Sequence, residues 1–224
     1  MSEIMGFIFD LDGVIVDTAR HHYRAWKRLA NSLGFDLSPE QNELLKGVSR
    51  MASLDIVLDI GGIKAEQGQK EEWAALKNRW YVELISAIGP EELLPNVEPF
   101  IRQARAAGIR TAIGSASKNT PAILRGLGIT GLFDVVIDGN ATSRAKPDPE
   151  VFLLAAGGLG LAPASCVVFE DSASGLAAAW SAGMYGTGIG APEILYMSDL
   201  VIRSFAGINP EMIRLQLANL QPHQ

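Results

Sequence analysis

The chain has 224 residues, 48% hydrophobic and 20% charged, which is enough apolar material for a core and argues against a disordered segment. With 19 basic and 25 acidic side chains its net charge is −6, a poor match for nucleic acid or an anionic membrane surface. A single cysteine, Cys166, excludes an internal disulfide and a cysteine-rich zinc site, and three histidines leave little for a His-based metal centre.

The first element is Gly6-Phe7-Ile8-Phe9-Asp10, apolar on both faces and ending in an acid. Such a run reads as a buried strand of a parallel sheet. The early apolar run from Met5 to Phe9 is cut by Asp10, too short for a signal sequence or a membrane span, so a cytoplasmic protein is expected. Ala19, His22, Tyr23, Trp26, Leu29, Ala30 and Leu33 then fall at helical spacing, and Gly34 follows as a stop. Further helices are expected at 39 to 46, 51 to 60 and 65 to 87, with no strand among them. His21 lies off the apolar stripe and is expected to face solvent.

Beyond residue 94, strands and helices alternate. The buried-strand signature recurs at Ile109 to Gly114, Asp134 to Ile137 and Cys166 to Phe169, and more weakly at Met184 to Ile189 and Asp199 to Ile202. Helical patterns fill 97 to 107, 120 to 127, 149 to 160 and 173 to 182. This rhythm implies βαβ units, hence an α/β fold with a doubly wound parallel, Rossmann-like sheet. Residues 1–16 and 88–224 are expected to form this core, and 17–87 an all-helical domain inserted after the first strand. The linkers would lie near Val14 to Asp17 and Ala87 to Leu94.

Four chemically suggestive groups fall at predicted strand ends, where open α/β sheets bind ligands. Asp10-Leu11-Asp12-Gly13 places two carboxylates two residues apart before a turn glycine, which suits a divalent metal and acid–base work or, alternatively, a capped turn. Ser115 precedes a helix start, a possible anion site. Lys146-Pro147 precedes the helix at 149, and Glu170-Asp171 follows the fourth strand. Each alone is compatible with capping or surface solvation; their joint position at strand ends is not easily accidental. In the inserted domain, Ser49 reads as an N-cap with Arg50 opening the next helix, either a phosphate clamp or a solvent-facing cation. Lys77 lies inside an apolar stripe between Trp73 and Trp80, so it either snorkels or faces a cleft. Lys118 is a surface lysine or a ligand group, and Cys166 is expected to be an inert buried residue.

Phe9-Asp10-Leu11-Asp12-Gly13, Ser115, Lys146-Pro147 and Glu170-Asp171 resemble the four ordered motifs of the haloacid dehalogenase superfamily, with the helical insertion at the position of that superfamily's cap. Asp12 points to the phosphotransferase branch. His22, Trp26, Lys46-Gly47-Val48-Ser49-Arg50, Lys77-Asn78 and Ser115-Ala116-Ser117-Lys118-Asn119 further resemble the β-phosphoglucomutase family, which interconverts β-glucose 1-phosphate and glucose 6-phosphate through β-glucose 1,6-bisphosphate. The match fades after Gly190.

The resemblance implies Asp10 as nucleophile, Asp12 as general acid–base, and Ser115 and Lys146 as groups neutralising the transferring phosphoryl. His22 would orient the acid–base. Mg²⁺ would be held by Asp10, the Asp12 carbonyl, Glu170 and Asp171. Substrate contacts would come from Trp26, Lys46, Gly47, Val48, Ser49, Arg50, Ser53, Lys77, Ala116, Ser117, Lys118 and Asn119. Arg50 and Lys118 would hold the phosphate not being transferred. The partner expected is a small sugar phosphate, with no nucleic acid and no membrane, and the chain is expected to be a monomer. A sugar-phosphate phosphatase of the same superfamily is the alternative, because it uses the same four motifs with water as acceptor. A non-catalytic sugar-phosphate-binding regulator is disfavoured by the intact Asp10, Asp12 and Lys146.

Overall fold

The computed structural model describes residues 3–45, 49–193, 195, 197–218 and 220. Their contacts divide the chain into two compact units, one running through Asp17 and resuming at Ile88, the other Thr18–Ala87.

The first unit is built on six strands, β1 (Gly6–Phe9), β2 (Arg110–Gly114), β3 (Val135–Ile137), β4 (Cys166–Glu170), β5 (Tyr185–Ile189) and β6 (Leu200–Ile202). They pair in the order β3-β2-β1-β4-β5-β6, every pair parallel. All four residues of β1 are buried, which is why the strand lacks polar alternation. Phe7 and Phe9 turn to one face, where Phe9 stacks on Phe169 at 4.8 Å and Phe7 on Phe100 of α5 (Val97–Ala106) at 5.8 Å. Ile8 turns to the other and joins a cluster with Val168, Phe152 of α7 (Glu150–Leu159) and Ala179 of α8 (Ala173–Ser181). Burying each such side chain is worth about 1.5–3 kcal/mol, so β1 is anchored from both faces. Two more helices, α6 (Thr120–Gly126) and α9 (Pro210–Leu217), complete this unit.

Parallel strands bring all their C-terminal ends to one edge. The chain order reverses beside β1, because β2 leaves on one side and β4 on the other. The main-chain N–H of Asp10 still donates to the Phe169 carbonyl at 2.9 Å, so the residue after β1 remains tied to β4. The two crossings into and out of the insertion are pinned to each other: Val16 bridges Leu93, and Leu94 N–H donates to the Ile15 carbonyl at 2.9 Å.

The second unit consists of α1 (Ala19–Ser32), α2 (Pro39–Glu43), α3 (Arg50–Gly61) and α4 (Gln67–Ile85). Ser38 and Gln41 close α2 with a capping box, and Ser49 caps α3 by accepting from Ala52 N–H at 3.3 Å. Trp26, Leu29, Leu37, Leu54, Val57 and Ala74 share its core.

One expectation is corrected here. His21 is 6% exposed rather than solvent-facing. The buried strip of α1 includes His21, Ala25 and Leu29 beside Trp26 and Ala30, wider than the stripe read from apolar residues alone. Cys166 is buried at the start of β4, and burial pushes its thiol up to about 12, so it is an inert thiol.

Candidate active site

The site is assembled at the C-terminal edge of β1, β2 and β4. Lys146, reached through a cis peptide to Pro147, lies between two acids. Its Nζ donates to Asp10 Oδ1 at 2.5 Å and to Glu170 Oε1 at 2.7 Å, and lies 4.7 Å from the centre of the Phe152 ring. All three charged groups are nearly inaccessible. Glu170 is held from its other oxygen by Ser172, whose N–H and Oγ–H both donate to Oε2 at 2.8 Å. Ser172 also N-caps α8, accepting from Gly175 N–H at 3.1 Å. A Cβ on Gly175 would overlap the Glu170 carboxylate. A Cβ on Gly13, whose φ is +79°, would likewise overlap that of Asp171. Both glycines let the backbone approach an acid.

The electrostatics are those of crowded acids around one cation. Burial pushes the Asp10 carboxyl well up; Lys146 pulls it back, and Glu170 and Asp12 push it up again. Asp171, at the rim of the cluster, is raised to about 7 by desolvation and then by Glu170 and Asp12. Burial opposes the charge on Lys146, but Asp10 and Glu170 outweigh it and hold its ammonium above the ordinary lysine range.

These residues suit magnesium in donor chemistry. Asp10, Asp12, Glu170 and Asp171 are all hard oxygen donors, and a divalent cation would relieve the crowding that raises Asp10 and Asp171. Among the described residues no three His, Cys, Asp or Glu side chains already converge as a cage. Magnesium dehydrates reluctantly and keeps several waters, so some of these four groups would hold it through water rather than directly.

Ser115 follows β2 and is buried, its N–H donating to the Ile137 carbonyl at 3.0 Å. Its Oγ accepts from Ser117 N–H at 3.1 Å, and Ser117 Oγ accepts from Asn119 N–H at 3.3 Å, so Ser115 to Asn119 form a hydroxyl-stitched loop before α6. Ala116 and Lys118 are exposed on that loop.

The Thr18–Ala87 unit gathers a second cluster. Lys77 of α4 is 2% exposed, and its Nζ lies 2.8 Å from His22 Nδ1. An ammonium only donates, so Nδ1 accepts and the imidazole proton sits on Nε2. The Lys77 ammonium also lies 4.4 Å from the Trp26 ring and 5.1 Å from Tyr81, on which His22 stacks at 4.0 Å. Burial holds His22 well below its usual range, reinforced by Lys77 and Arg50. Trp26 is in the core of this unit, Ser53 is buried in α3, and Ser49 and Arg50 are exposed at its start. Lys46, Gly47 and Val48 lie outside the described residues.

The sequence reading passed over Ser172, Gly175 and Phe152. Ser172 had a readable signal, a serine opening a helix two residues after the acid. Phe152 had none, because its place under Lys146 depends on how α7 packs on the sheet.

The family model described as haloacid dehalogenase-like hydrolase matches residues 4–183. The chain belongs to the haloacid dehalogenase-like hydrolase family. The parallel α/β unit is its core and the helical unit its cap. Within this family the chain is 39% identical over 208 residues to the β-phosphoglucomutase of Bacillus subtilis, covering 92% of each chain. It is 32% identical over 180 residues to a phosphorylated carbohydrates phosphatase of Thermotoga maritima, covering 79% of this chain and 81% of that one. The crystal structure of a β-phosphoglucomutase from Clostridium difficile superposes with a TM-score of 0.89 at 40% identity, covering 96% of this chain and 97% of that one.

Proposed function

We propose that the chain is a phosphomutase that interconverts β-D-glucose 1-phosphate and glucose 6-phosphate through an aspartyl-phosphate enzyme and β-glucose 1,6-bisphosphate. The observation that carries this reading is the strand-end cluster of Asp10, Lys146 and Glu170, with a second acid, Asp12, two residues beyond the first. The mutase relatives, similar over nearly the whole chain, support the choice of reaction.

In this reading Asp10 attacks phosphorus and forms the aspartyl phosphate, and the leaving sugar oxygen takes a proton from Asp12. In the return step Asp12 removes the proton from the attacking hydroxyl. Lys146 and Ser115 neutralise the equatorial oxygens of the transferring phosphoryl. Asp10, the Asp12 carbonyl, Glu170 and Asp171 would hold magnesium, which when bound lowers the repulsion between an anionic nucleophile and an anionic phosphate. Arg50 and Lys118 carry the phosphate not in transfer, and Lys46, Gly47, Val48 and Ser49 contact the sugar phosphate; Trp26, Ser53 and Lys77, expected as contacts too, are buried within the cap unit. His22 orients Asp12. The bisphosphate must turn over between the two transfers, and exclusion of water preserves the aspartyl phosphate meanwhile.

The phosphatase reading rests on the 32% identical carbohydrate phosphatase. Incubation with β-glucose 1-phosphate, Mg²⁺ and catalytic bisphosphate decides between the two. Accumulation of glucose 6-phosphate supports the mutase, whereas free phosphate without glucose 6-phosphate replaces it with the phosphatase. We propose that the enzyme is a monomer and acts in the cytoplasm; a single unpaired cysteine is in keeping with a reducing compartment. Among the described residues no helix is long and apolar enough to cross a membrane.

A further inference from the structure

Lys146 reaches its acids from an irregular segment, residues 138 to 149, between β3 and α7. A lysine has four flexible side-chain bonds, so the position of its ammonium depends on how firmly its main chain is held. Three links close the segment on either side of it. Glu150, the first residue of α7, reaches back six and seven positions: its carboxylate accepts from Arg144 N–H at 2.7 Å, Ser143 N–H at 3.0 Å and Ser143 Oγ–H at 3.0 Å. Asp148 Oδ1 accepts from Glu150 N–H at 3.0 Å, and its other oxygen pairs with Arg144 at 3.0 Å. Asp148 N–H donates to the Ala145 carbonyl at 3.0 Å. Lys146 is therefore enclosed between residues fastened to the start of α7, the helix that also places Phe152 under its ammonium.

An acid in the first turn of a helix is ordinarily explained by the helix dipole. That does not account for three hydrogen bonds spent on the main chain and hydroxyl of a loop six residues upstream, two of them to N–H groups that α7 does not contain. We propose that Glu150 is a positioning residue for phosphoryl transfer, acting through Lys146 by clasping the segment that carries it to α7. This rests on the phosphoryl-neutralising role given above to Lys146.

Glu150→Ala removes all three bonds. The turnover number is expected to fall about 10- to 100-fold, the scale on which supporting residues act, with KM for the sugar phosphate within about twofold of wild type. Slow hydrolysis of acetyl phosphate should fall in parallel, because it uses the same phosphoryl site. The decisive measurement repeats Glu150→Ala in a Lys146→Ala background, read with radiolabelled acetyl phosphate. A residue acting through Lys146 has nothing further to lose there, so the second substitution should have little effect. The same fold-loss in both backgrounds, or a wild-type turnover number in the single variant, overturns the proposal. If Glu150→Ala does not fold, Ser143→Ala removes one donor alone. A severalfold loss in turnover at unchanged KM then supports the clasp, and a wild-type value overturns it. Wild-type activity of Lys146→Ala would instead remove the role of Lys146 itself.

Discussion

In the α/β core, a buried lysine lies between two carboxylates; in the cap, another lies against a neutral imidazole and two aromatic rings. The acids around Lys146 are supplied by strand ends, whose positions follow from the parallel ladder. The groups around Lys77 come from faces of α1 and α4, whose alignment follows from helix packing. The core cluster sets a single ammonium among crowded acids, and burial raises Asp10 and Asp171. The cap cluster depends on one group, His22, staying uncharged beside a cation. The same residue type is thus buried by two different solutions, and the two respond differently to substitution and to pH.

The largest effect should come from the core. Asp10→Asn replaces the proposed nucleophile with an amide, and turnover should disappear while cooperative thermal unfolding persists. Activity near wild type would remove Asp10 from that role. Asp12→Asn should slow turnover by about 10² to 10⁴-fold, the scale of a lost general acid or base. Magnesium binding should survive it, because the main-chain carbonyl of Asp12 is the expected ligand; titration of Mg²⁺ against thermal stability checks this.

The cap should show smaller and more selective effects. Arg50→Ala should damage isomerisation more than hydrolysis of acetyl phosphate, which carries no second phosphate. A charged hydrogen bond of ~1.5–3 kcal/mol corresponds to roughly 10- to 150-fold. Arg50→Lys should recover only part, since the planar fork is lost. Equal loss of both activities would make Arg50 structural and erase the functional contrast between the two units.

The smallest effect is the pH response of His22. Its folded-state affinity for a proton is depressed, so below about pH 6.5 the unfolded chain binds the extra proton first. The associated stability is complete above that pH and is lost as pH falls toward the depressed folded value, at no more than about 1.4 kcal/mol per pH unit for one proton. Thermal unfolding of wild type and His22→Asn between pH 7.5 and 5 isolates it. The wild type should lose stability more steeply, and parallel curves would mean that the imidazole accommodates its proton beside Lys77.

Much of the fold was legible because buried parallel strands carry a distinctive pattern. Gly6 to Phe9 and Cys166 to Phe169 are too apolar, too short and too sharply ended to be anything else, and the long strand-free stretch before residue 88 marks the insertion. Asp10, Asp12, Ser115, Glu170 and Asp171 could be nominated because parallel topology sends every strand end to the same edge; Lys146, expected at a strand end too, lies instead nine residues beyond β3, in the irregular segment 138 to 149. His21 was misread because a helical wheel shows which residues are apolar, whereas the width of the buried face is set by what packs on it.

The sequence by itself determined the alternation of strands and helices, the position of the helical insertion and the identities of the strand-end acids, since these depend on local periodicity and chain order. Only the tertiary structure decided that Lys146 joins Asp10 to Glu170, that Gly13 and Gly175 make room for carboxylates, that Lys77 meets His22 across 55 positions, and that Glu150 fastens the segment carrying Lys146. Each of these depends on distances between elements remote in sequence or on the path of an irregular segment, and neither leaves a periodic trace in the chain.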